Sequence, residues 1–143
     1  MFGFFKKKRQ PMAYLDERSV DVALRAAAMI GMSMFMCKSG NNFKGKLQSP
    51  YVRGYFVGFL DAASQLAKLG LKSDEEFFEF VIEGHIFLKD YLSDADSYAI
   101  KSLELRQDQE FSKGMSSGGK DYFESLQGKL NYPRQLVSYF NDN

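Results

Sequence analysis

Apolar positions along this chain follow helical spacing, and the residues that punctuate them are helix caps and breakers. Asp16 suits an N-cap, with Leu15 and Val20 placed as a hydrophobic staple around it. A first helix is expected from about Glu17 to Lys38, stopping before Gly40, Asn41 and Asn42. After the polar loop SGNNFKGKLQ, Ser49 and Pro50 open a second helix that Gly70 ends. Ser73 and Glu76 form a capping box for a third, which runs to Leu92, where Ser93 caps a fourth at a tight corner. The glycine-rich GMSSGG should close that helix near Lys113 and act as a helix–helix connection. Two shorter helices are expected near Lys120–Leu130 and Pro133–Phe140. The expected fold is therefore all-α: a compact single-domain bundle of four main helices plus one or two short C-terminal ones. Residues 13–143 are expected to form that domain, and residues 1–12 a flexible basic and aromatic arm.

The most apolar stretch is Ala26 to Cys37, rich in methionine and bracketed by Arg25 and Lys38. Its uncharged part has twelve residues, where a bilayer span needs about twenty. Projected on a helix, its apolar side chains go all the way round, so the first helix is expected to be the central one. Methionine fills irregular gaps, so core packing is the simplest role for these side chains; a repackable binding surface is the alternative.

Composition adds bounds to this picture. At 143 residues with 45% hydrophobic and 26% charged residues, the chain can build one ordinary core without disulfide or metal staples. The single Cys37 cannot form an internal disulfide and sits in the apolar run, where an inert buried thiol and a reducing, cytoplasmic setting are expected. Net charge is only +1, but residues 1–55 carry ten Lys/Arg against three acids, and the remainder nine against fifteen. That polarity either pairs internally or guides a partner.

Familiar chemistries fit poorly, and enzymatic activity ranks below binding. GMSSGGKD (114–121) follows the phosphate-loop pattern until its last position, where Asp121 replaces the magnesium-binding hydroxyl, and a charged helix precedes it instead of a strand. His85 is the only histidine, and its neighbours at helical spacing are Val81, Ile82, Leu88 and Lys89, which supply no orienting carboxylate. Zinc and di-iron sites need more His or Cys than the chain offers, so no metal or other cofactor is expected. Asp74, Glu75, Glu76, Glu79 and Glu83 are expected on a solvated outer face, and DADSY (94–98) lacks the glycine and glutamate of a calcium loop.

Two features resist a purely structural account. In the second helix Phe56, Phe59, Leu60, Ala63, Leu66 and Ala67 form an apolar face, while Gly54, Gly58, Asp61 and Gln65 line up opposite. A helical glycine costs about 1 kcal/mol, so something should approach that backbone closely: the chain's own tail, or another molecule. At the N-terminus, Phe2, Phe4 and Phe5 followed by Lys6, Lys7, Lys8 and Arg9 could lie on an anionic membrane surface. No basic stripe or recognition helix accompanies them, so nucleic acid is not an expected partner. The leading expectation is a non-enzymatic protein–protein interaction module, through self-association or a protein partner, using Gly54, Gly58, Asp61 and Gln65. A peripheral membrane protein anchored by residues 2–9 is the alternative.

Overall fold

The computed structural model describes residues 15–129 and 132–142. The chain is all-helical: α1 (Glu17–Cys37), α2 (Phe43–Leu47), α3 (Pro50–Leu66), α4 (Asp74–Ile86), α5 (Ala95–Leu103), α6 (Gln109–Leu126) and α7 (Arg134–Asn141), with no strand among the described residues. The aromatic and basic segment Phe2–Arg9 lies outside them.

Three helix starts follow from local sequence. Asp16 accepts the Ser19 N–H at 2.8 Å, Ser49 that of Val52 at 3.3 Å and Ser73 that of Glu76 at 3.1 Å. Each satisfies a donor that the first turn leaves open. Glu76 reaches back to the N–H of Lys72 at 2.7 Å, one residue before the expected capping-box partner.

The expected fourth helix is two helices. It breaks after Leu103 and restarts at Asp108, whose carboxylate accepts from the N–H groups of Glu110 and Phe111 at 2.8 and 3.1 Å. The glycine-rich GMSSGG is not a connection but the middle of α6. Its glycines keep the helix because they bring it against α3: a Cβ at Gly114 would sit 2.0 Å from the Tyr51 carbonyl oxygen, and one at Gly118 2.2 Å from that of Tyr55. Reciprocally, a Cβ at Gly54 or Gly58 would lie 2.0 or 2.2 Å from the carbonyl oxygens of Phe111 or Met115. The residue numbers rise together in both helices, so α3 and α6 run parallel. Two Gly-x-x-x-Gly pairs interlock backbone to backbone, and the intrinsic cost of four helical glycines is offset by that contact.

This crossing makes α3 the central helix. Every residue from Val52 to Leu60 is buried, and α1, α4, α5 and α6 all pack on it. The expectation that the first helix is surrounded on all sides is corrected here. Helix α1 buries Ser19, Ala23, Ala26, Ala27, Ile30, Ser33, Met34 and Cys37, while Leu24, Ala28, Met32, Phe35 and Met36 face outward. It is also the one helix among the described residues long and apolar enough to cross a bilayer by length and composition, a test that core helices also pass. Helix α7 returns to the bundle through buried Leu136 and Phe140. Its last turn is held by Lys46, which donates to the carbonyls of Tyr139, Phe140 and Asp142 at 3.3, 2.9 and 3.2 Å, placing a cation at the negative end of a helix.

Candidate functional site

The four residues of the expected binding face separate in three dimensions. Gly54 and Gly58 are covered by α6 of the same chain, which leaves no room for a second molecule. Asp61 and Gln65 lie one and two turns further on, beyond the tight crossing. Gln65 donates to Asp61 at 3.0 Å, and both line an open groove of about 590 Å³ shared with Ser64, Lys68, Leu71 and Lys72. The groove mixes acids and cations without convergence on one point.

Two buried polar groups, Asp121 and Arg53, bond from one helix to another. Asp121, 1% exposed, accepts from the Tyr55 hydroxyl at 2.6 Å and from the Gln135 backbone N–H at 2.8 Å, joining α3, α6 and α7. Burial is the main cause that pushes the Tyr55 phenol far above its ordinary range, and the neighbouring Asp121 adds to it. Alongside, the Tyr51 hydroxyl donates to Ser117 at 2.7 Å, and Ser117 donates to Gln135 at 3.2 Å. Gly114 to Asp121 therefore serves helix packing; inside a helix the N–H groups of these glycines cannot form a phosphate cradle.

His85 is fully buried between Phe56 and Tyr98, with ring centroids 5.9 and 5.7 Å away. Its Nδ1 lies 2.8 Å from the Val81 carbonyl, which assigns the proton to Nδ1, and Nε2 meets no acceptor or donor among the described residues. Burial pushes its pKa down to about 4; the Val81 carbonyl acts the other way and the nearby Arg53 charge adds to the lowering. The unfolded chain takes up this proton near the ordinary value of 6.5, before the folded protein does. Stability is thus fully present above about pH 6.5 and declines as pH falls towards 4, by about 3 kcal/mol in all. Urea titrations between pH 7 and 5, above the range of ordinary carboxylates, should show this slope. His85→Phe should flatten it, and an unchanged slope would assign the effect elsewhere.

Cys37 has no exposed surface, and burial pushes its thiol up to about 11, the reverse of what a nucleophile needs. Asp74 and Glu75 are exposed as expected, but Glu79 is turned into the protein and Glu83 is half-buried, so the acids of α4 do not form one solvated face. No group of three or more His, Cys, Asp or Glu side chains converges as a metal site among the described residues.

The outward arc of α1 is the largest departure from the sequence reading. Met32 is 75% and Phe35 66% exposed, with Leu24 and Met36 also open. Leu24, Ala28, Met32 and Phe35 fall within about 80° of one another around the helix. The inward arc holds mostly Ala and Ser beside Ile30 and Met34, while several bulky apolar side chains stand in water. An inward preference would place them the other way round. The signal was legible as a difference in size between two arcs, both apolar, and projection by hydrophobicity alone does not register it.

Arg53 also escaped the sequence reading. It stands within the apolar α3 yet is only 7% exposed. Its guanidinium donates to the Gln48 carbonyl at 3.1 Å, Gln48 Oε1 at 2.6 Å, the Tyr98 carbonyl at 3.0 Å and the Ser102 hydroxyl at 2.9 Å. It lies 4.0 Å from the Tyr98 ring centroid, a cation–π contact. All four acceptors are neutral. The signal was a lone Arg between Val52 and Gly54, in a helix whose neighbouring positions are apolar or glycine. No family model, curated protein or solved structure matches this chain.

Proposed function

We propose that this protein is a non-enzymatic interaction module whose docking surface is the outward stripe of α1, and that the stripe's occupant is a second copy of the chain. The observation that carries this reading is the exposure of Leu24, Met32, Phe35 and Met36 along one arc of a helix otherwise anchored in the core. A contiguous apolar surface of this kind marks an interaction site more often than a scatter of single exposed residues does.

Self-pairing is favoured by the run of the stripe, whose two halves meet when two copies cross antiparallel. Its N-terminal end carries Glu17 and Asp21 among Arg18 and Arg25, with Asp21 paired to Arg25 at 2.8 Å, and its C-terminal end carries Lys38. Two α1 helices crossing antiparallel near Ala28 and Met32 bring Leu24 opposite Met36 and carry Lys38 of each copy towards the Asp21–Arg25 pair of the other. Antiparallel dipoles favour the same arrangement. The small side chain at exposed Ala28 lets the helices approach. A stripe about 18 Å long is smaller than the roughly 800 Å² per partner of a standard interface, so the dimer is weak, on the order of 10 μM or above.

Sedimentation from about 1 μM to about 500 μM should show the mass rising towards the dimer, and Phe35→Glu with Met32→Glu should remain monomeric with an unchanged melt. Both side chains are exposed, so the fold tolerates the charges. Wild-type protein that stays monomeric throughout would defeat the self-pairing reading. Binding to anionic vesicles, lost in the same double variant, would instead assign the stripe to a membrane surface alongside Phe2–Arg9.

A further inference from the structure

Between α2, the start of α3 and the N-terminus of α5 lies a cavity of about 410 Å³, lined among others by Lys44, Gln48, Arg53, Asp94, Ser97 and Lys101. We infer that this cavity binds a small phosphomonoester, with Arg53 at its floor. This rests on observations independent of the α1 stripe.

The first observation is a buried cation without a counter-charge. Arg53 is more than nine-tenths buried, its four hydrogen bonds go to neutral acceptors, and no carboxylate among the described residues lies within ion-pair distance of it. A guanidinium has five N–H donors. Nε and Nη1 use three of them, Nη2 uses one on Gln48, and the fifth, on Nη2, has no acceptor among the described residues. Taking an unpaired charge out of water is costly. A bound anion supplies the missing partner.

The second observation is the charge of the wall. Lys44, Arg53 and Lys101 face the cavity against the single carboxylate of Asp94, a surplus that a phosphate dianion matches and a lone carboxylate does not. The cavity also reaches the start of α5 at Ser93, Asp94 and Ser97. No side chain caps this helix, as none caps α2 or α7, so its first N–H groups are not taken by a capping side chain. Gln48 and Tyr98 hold the guanidinium plane, so its geometry exists before a ligand arrives. The volume exceeds what a bare oxyanion needs and falls at the lower end of small-molecule sites, and Leu47, Tyr91 and Leu92 supply apolar wall for an organic body.

Phenyl phosphate titrated into the full chain, followed by the Arg53 Nε–H and the Ser97 and Lys101 amides in ¹H–¹⁵N spectra, is the test. A saturable shift at all three is expected, with phenol giving none. Lys44→Gln combined with Lys101→Gln changes only exposed side chains and should weaken binding about tenfold or more, while Asp94→Asn should tighten it. Absence of a saturable shift up to about 10 mM, or binding unaltered in the lysine double variant, would overturn the assignment.

Discussion

Gly58→Leu is expected to be severely destabilised, melting far below the wild-type protein. Overpacking a core costs about 1–3 kcal/mol when side chains can rearrange. At Gly58 the obstructing atoms are the carbonyl oxygen, Cα and carbonyl carbon of Met115, at 2.2, 2.6 and 2.7 Å from a Cβ, and a helix backbone cannot step aside alone. The two helices must separate, and the burial between them goes with the contact. The loss should exceed about 3 kcal/mol, a large part of the total stability of a domain of this size. Even Gly58→Ala meets the same three atoms and should be clearly destabilised. Gly119→Ala is the counterpart. A Cβ there meets only the Gly58 carbonyl at 3.8 Å and the Ala62 Cβ at 4.0 Å, which is ordinary contact. Helix propensity then favours the alanine by up to about 1 kcal/mol. Thermal melts of the three variants should therefore differ in sign. A Gly58→Ala protein as stable as wild type would disprove the tight crossing.

Asp121→Ala should cost about 2–4 kcal/mol and release the C-terminal helix first. The side chain is almost wholly buried and accepts from Tyr55 and from the Gln135 backbone, so its removal strands a buried hydroxyl and a backbone N–H at the first turn of α7. Leaving a buried donor without an acceptor costs about 1–3 kcal/mol each. Hydrogen exchange in residues 134–141 should accelerate before the rest of the bundle loosens, since α7 is otherwise held by Leu136, Phe140 and the Lys46 clamp. Asp121→Asn keeps an acceptor and should lose less than the alanine variant. If urea denaturation places Asp121→Ala within about 0.5 kcal/mol of wild type, the network does not hold α7.

The Asp121 network and the Arg53 cavity were both invisible in the linear pattern for the same reason. Tyr55 and Asp121 are 66 positions apart, as are Tyr51 and Ser117, and Arg53 draws on Tyr98 and Ser102 at separations of 45 and 49. Spacing along one helix reports which residues share a face, and is silent on what another helix brings to it. The same limit explains the expected connection at GMSSGG. Local propensity counts glycines as breakers, and only the facing Gly54 and Gly58 turn them into a requirement of the packing.

Sequence alone determined the helical class, the starts of α1, α3 and α4, the burial of Cys37 and the fact that Gly54 and Gly58 must be closely approached. Each depends on interactions within about four residues, or on a cost that some partner has to offset. Tertiary structure decided which helix is central, what covers the glycines and which apolar side chains stay in water. The apolar periodicity of α1 marks both of its arcs as eligible for burial. Neighbouring helices cover only one, and the small side chains of the inward arc let them come close while Met32 and Phe35 remain outside.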